Sequence, residues 1–93
     1  MSRFLRVEAT RWVDDEQPGW VEVRIPGTPP VTLVEKAPVL DPGDRLAPDA
    51  VYPVALEIPC DVLDTDADGT VLVMLHHDIG GPFRVPGSAV FSR

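Results

Sequence analysis

The chain of 93 residues predicts an all-β fold, a single small barrel of about six short strands with one short helical turn near the C-terminus. Three observations carry this. Eleven prolines and seven glycines are spread over the whole length and leave no long window for a helix. Between them, apolar residues recur with period two, the signature of half-buried strands. Turn residues separate these runs at short intervals, as in small barrels and sandwiches.

The elements follow in order. In "FLRVEATRWV", Leu5, Val7, Ala9 and Val13 fall on one side and Phe4, Arg6, Glu8, Thr10 and Trp12 on the other. In "WVEVRI", Val21, Val23 and Ile25 alternate with Trp20, Glu22 and Arg24, and "DDEQPG" between the two runs is turn chemistry. If Val7 faces Ile25, then Ala9 faces Val23, Glu8 faces Arg24 and Trp12 faces Trp20. That register keeps one side apolar and pairs opposite charges on the other, which a one-residue slip would destroy. "VTLVEKAPVL" reads as a third strand, with Pro38 at an edge or a bulge. "DPGDRLAPDAVYP" is a long irregular connection with a helical turn near Arg45 and Leu46. "VALEIPCDVL" places Val54, Leu56, Ile58, Cys60 and Val62 on one face, and Pro59 again reads as edge or bulge. "TVLVMLHH" and the short "PFRV" complete the set. No repeat, low-complexity tract or linker interrupts the chain, so residues 1–93 read as one domain.

The formal charge of -7 comes from 15 acidic against 8 basic side chains. Such a field repels phosphate backbones and anionic membranes, and attracts basic partners. Neither nucleic acid nor membrane is therefore expected as a partner; solubility is the plainer use of the same charge. No apolar run approaches the roughly 18–20 residues of a membrane span, and "MSRFLRVEATRW" lacks the apolar stretch of a signal peptide. One cysteine, Cys60, excludes an internal disulfide and points to a reducing, cytoplasmic setting. Asn is absent and Lys occurs once, a bias of GC-rich coding that points to a bacterial source.

The C-terminal "GGPFRVPGSAV" resembles the end of an SH3-like barrel, in which a strand runs through a proline and one tight helical turn into a closing hydrophobic residue. Phe83 and Val85 would be that strand, residues 86–89 the turn and Val90 the closing residue. The likeness covers about ten residues and implies an SH3-like barrel; the aromatic peptide-binding motifs of SH3 domains are missing. Residues 12–22 also resemble small bacterial proteins of uncharacterised activity that share a W-V-x-D-(D/E)…P-G-W-V-E pattern. That likeness implies no activity.

"DTDADG" raises the question of calcium. Asp64, Asp66, Asp68, Gly69 and Thr70 fit positions 1, 3, 5, 6 and 7 of an EF-hand loop, but the twelfth position is Leu75, which cannot ligate. A four-residue hairpin loop at 66–69 competes with it. That loop pairs Val62 with Val73 and Cys60 with Leu75, apolar against apolar. The turn is the expectation, with Asp64, Asp66 and Asp68 kept as metal candidates and no cofactor expected. Asp61 would join them only if a bulge turned it towards the loop.

Catalytic chemistry finds little support. His76 and His77 are adjacent, so on a strand they point to opposite faces and would not share a zinc ion. Cys60 lies on the inward face, where a thiol packs as a small hydrophobe. Ser88 lacks the G-x-S-x-G elbow. Gly80 and Gly81 run into a proline and a strand rather than a phosphate-holding helix.

The surface offers more. Trp12 and Trp20 would stack across the outer face of the first hairpin, with Asp14, Asp15 and Glu16 at its tip. Tryptophans supply contact area in interfaces, and carboxylates beside them receive Arg or Lys. The competing reading has one or both rings closing the end of the barrel. The expectation is a non-enzymatic module that binds a basic protein or peptide through these five residues. An immunity or antitoxin-like protein masking a basic toxin is the alternative, and a calcium-responsive domain a third. Sheet edges would permit strand addition or a homodimer, although Pro26, Pro29, Pro30, Pro38 and Pro59 read as edge protection.

Overall fold

A computed structural model describes residues 2–93. The strands are β1 (Arg3–Asp14), β2 (Trp20–Ile25), β3 (Val31–Lys36), β4 (Val54–Thr65), β5 (Thr70–Leu75), β6 (Gly80–Pro86) and β7 (Val90–Ser92). A four-residue helix, α1 (Ala37–Leu40), follows β3, and a 3-10 turn (Gly87–Ala89) separates β6 from β7. All neighbouring strands are antiparallel, in the order β3-β2-β1-β4-β5-β6. The sheet curls into a half-barrel. β1 is its spine: one side pairs with β4 along residues 3–9, and the other is shared between β7 at residues 3–5 and β2 from Glu8 onward. A 12-residue strand spans about 40 Å, which accounts for the 42 Å long axis.

The period-two residues form the core. Leu5, Val7 and Ala9 of β1, Val21, Val23 and Ile25 of β2, and Leu56, Ile58 and Cys60 of β4 are all buried. Val71, Val73 and Leu75 of β5 and Val85 of β6 join the same cluster, as do Ala37, Leu40 and Leu46 from the connection between β3 and β4. Each fully buried aliphatic side chain contributes about 1.5–3 kcal/mol relative to exposure.

The expected register holds over the first half of the hairpin, where Glu8 faces Arg24 and Ala9 faces Val23. It fails at the tip. Irregularities between Ala9 and Arg11 and between Trp12 and Asp14 place Trp12 opposite Val21 and Asp14 opposite Trp20. Thr10 sits at the first bulge, and its Oγ1 donates to the Glu22 carbonyl and carboxylate at 3.1 and 2.8 Å. A bulge reverses the alternation downstream. Trp12 therefore turns inward against the core, and Val13, expected inside, is 38% exposed.

Prolines account for the other departures. Pro38 lies in the first turn of α1 rather than in a strand, a position where its missing N–H costs nothing. The helical turn expected near Arg45 and Leu46 is absent, and α1 stands instead of it. Pro59 is internal to the sheet, between β1 and β5. Its carbonyl accepts the His76 N–H at 3.0 Å. Proline returns no donor in that pair, so the β4–β5 ladder stops there and β5 ends at Leu75. At the C-terminus the anticipated order of strand, turn and closing residue is found. Val90 opens β7 opposite Leu5 of β1.

Candidate functional site

The tip of the β1–β2 hairpin is built from residues 12–20. Gly19 has a φ of +96°, and its carbonyl accepts the Ala37 N–H at 2.9 Å, which ties the tip to α1. Trp12 lies against this glycine, and its Nε1–H donates to Asp15 Oδ1 at 2.7 Å. Asp14 Oδ1 accepts the Glu16 N–H at 2.9 Å, an Asx turn that starts the reversal.

Directly opposed residues share a sheet face. Trp20 is therefore on the outer face between Asp14 of β1 and Lys36 of β3, whereas Trp12, opposite buried Val21, is on the inner face. The expected stack of the two rings is overturned: the bulges put them on opposite faces. Trp12 packs within the fold, and Trp20 remains half-buried on the surface. Lys36 Nζ stands 5.8 Å from the centre of the Trp20 ring, a cation held on its face. Among the described residues, no cationic side chain pairs with Asp14, Asp15 or Glu16 within 4 Å.

The aspartate loop between β4 and β5 forms the anticipated hairpin, with Cys60 opposite Leu75 and Val62 opposite Val73. A bulge at Leu63, unforeseen from the sequence, leaves that side chain exposed. The carboxylates of the loop serve the turn. Asp64 Oδ1 accepts the Thr65 N–H, and Asp68 Oδ1 accepts both the N–H and the hydroxyl of Thr70, at 2.9 and 2.6 Å. Those two Thr70 bonds hold the Asp68 carboxyl below its ordinary pKa. Asp66 lies 3.6 Å from Arg84, whose guanidinium also donates to Thr70 Oγ1. No three His, Cys, Asp or Glu side chains converge as a metal ion would need among the described residues.

Cys60 is buried on the inner face, where burial pushes its thiol pKa up and the Asp61 charge adds to the effect. His76 is exposed, with Nε2 3.2 Å from Asp61 Oδ2. Its ring meets His77 edge-on at 6.3 Å.

A second outer surface was not foreseen. Phe4 and Phe91 stack at 5.7 Å, Arg6 lies 4.6 Å over Phe91, and Arg93 covers both rings while reaching Glu57 at 2.7 Å. Phe4 and Phe91 come from opposite ends of the chain, so no local pattern could have joined them. Their contacts staple β7 to β1 and β4.

No protein-family model, curated protein or solved structure matches the chain.

Proposed function

We propose that this half-barrel, SH3-like in build, is a non-catalytic module that docks a basic segment of a partner protein on the outer face of the β1–β2 hairpin. The observation that carries the reading is the row Asp14, Trp20, Lys36 across three strands, with a lysine ammonium already over the indole. A partner's arginine can take that place. It would gain the ring face, and Asp14, Asp15 and Glu16 would supply charge that the fold leaves unpaired. The net charge of -7 draws such a partner in from a distance. Trp12, grouped with Trp20 on sequence grounds, serves this surface indirectly by shaping the tip, and Asp15 holds its indole N–H while presenting its carboxylate to solvent.

The test is titration with a hexa-arginine peptide, followed by calorimetry. Removing the ring in Trp20→Ala removes a cation–π contact of about 0.5–2 kcal/mol, a loss of roughly 2- to 30-fold in affinity. Neutralising the tip with Asp14→Asn and Glu16→Gln should flatten the salt dependence of binding. Unchanged affinity in Trp20→Ala would remove the docking surface from this face.

A further inference from the structure

The run of six strands from β3 to β6 ends in two edges, β3 and β6, and they differ; the three-residue β7, paired with β1 alone, is too short to offer a third of use. β6 carries Pro82 near its start and Pro86 at its end, which blunt it. β3 (Val31–Lys36) contains no proline, because Pro29 and Pro30 precede it and Pro38 has moved into α1. Its residues include Val31 and Val34, 44% and 47% exposed.

The direction of its backbone groups follows from the ladder. Ala37 N–H bonds the Gly19 carbonyl across the β2–β3 pair. In an antiparallel pair, bonded residues alternate, so Glu35, Leu33 and Val31 bond β2, while Lys36, Val34 and Thr32 aim their N–H and C=O at the free edge. Lys36 bears this out: its N–H is taken by the Glu35 carboxylate at 2.9 Å instead of by a strand. Thr32 and Val34 have no such substitute among the described residues. The side chains of this outward set share the face of Trp20.

We propose that the β3 edge receives the main chain of the basic partner as an added strand, so that the segment whose cation meets Trp20 also bonds Thr32 and Val34. This rests on the docking reading above and gives it a backbone component. The row Asp14, Trp20, Lys36 continues into the added strand, whose residue at that level would carry the arginine. At the other end of β3 a groove of about 570 Å³, lined by Pro29, Val31, Phe83 and Arg84 among others, lies between the two free edges. It leaves room for an incoming side chain. A second copy of this chain is the poorer occupant. Each copy carries a charge of -7, and a pair of six-residue strands buries well under the ~1,000 Å² of a stable interface.

The probe is an eight-residue peptide of alternating Arg and Val, capped at both ends, with two analogues N-methylated at the odd or at the even positions. An added strand bonds its neighbour through every second residue. One analogue should therefore lose affinity about tenfold or more and the other should keep it. Val34→Pro, which removes an edge donor and no β2 bond, should cost a similar factor while leaving the far-UV spectrum and unfolding midpoint of the protein near those of the parent. Equal affinity for the peptide and both analogues would overturn strand addition. If Trp20→Ala still weakened binding in that case, docking on the outer face would stand without it. Failure of the parent peptide to bind would overturn both. A concentration-dependent dimer abolished by Val34→Pro would overturn the assignment to a partner and give the edge to a second copy.

Discussion

Gly19→Ala should be among the most damaging single substitutions in this protein. The backbone at Gly19 has a φ of +96°, which an alanine adopts only at a cost of about 1–2 kcal/mol. A Cβ there would also lie 2.7 Å from Trp12 Cζ2 and closer still to Cη2, well inside van der Waals contact. The indole has limited room to retreat, since its Nε1–H is bonded to Asp15 on one side and its ring packs on the core on the other. Such overpacking costs about 1–3 kcal/mol. The sum, about 2–5 kcal/mol, corresponds to a midpoint lowered by about 8–40 °C in a domain of this size. Urea and thermal unfolding followed by circular dichroism would read it directly. Repeating the substitution in a Trp12→Leu background separates the two parts, because the clash disappears and the backbone cost stays. The single and double variants should therefore be non-additive by about 1–3 kcal/mol. Additivity within about 0.5 kcal/mol, or a Gly19→Ala cost below about 1 kcal/mol, would refute the placement of Trp12 against the turn.

Three further expectations follow from particular groups. The β5–β6 turn holds His77 and Asp78 at φ of 64° and 58°, so Asp78→Gly should raise the stability by up to about 1 kcal/mol, which moves the unfolding midpoint up by at most about 4–8 °C; a lower midpoint would contradict the turn geometry. Burial pushes the Asp41 carboxyl up, but hydrogen bonds from the Arg45 side chain and from the Gly43 and Arg45 N–H groups outweigh it and leave the pKa below its ordinary value. The stability from this group is present above the unfolded pKa near 4 and lost as pH falls through the folded value. Asp41→Asn should flatten the acid limb of a stability–pH curve, and an unchanged limb would count against the cluster. Cys60, buried with its thiol pKa raised, should resist iodoacetamide in the folded protein at pH 7 and react once urea unfolds it; rapid labelling of the native state would show the inner face to be open.

The sequence made the core legible because its strands alternate cleanly. Leu5, Val7 and Ala9 against Val23 and Ile25, and Cys60 and Val62 against Leu75 and Val73, leave little freedom of register once one face must be dry. The bulges were hidden by the same habit of counting in twos. Ala9 to Trp12 is a step of three, and that step is the one local sign that the alternation has changed phase. Strict alternation through that step places Trp12 on the outer face opposite Trp20, whereas in the fold it lies opposite Val21. Proline was misleading in a different way. Pro38 and Pro59 read as edge marks, yet one opens a helix and the other ends a ladder inside the sheet. Taking Pro38 for a residue of the third strand hides the unblocked edge of β3, because edge status depends on strand order, a long-range property. The Phe4–Phe91 staple was invisible for the same reason.

The most direct test of the docking surface is a 1H–15N NMR titration of the protein with hexa-arginine at low ionic strength. Shifts should concentrate on the Trp20 amide and indole, on residues 14–16 and on residues 32–36, and be reversed by added salt. Shifts centred instead on Phe4, Phe91 and His76, or none at all, would contradict docking on this surface.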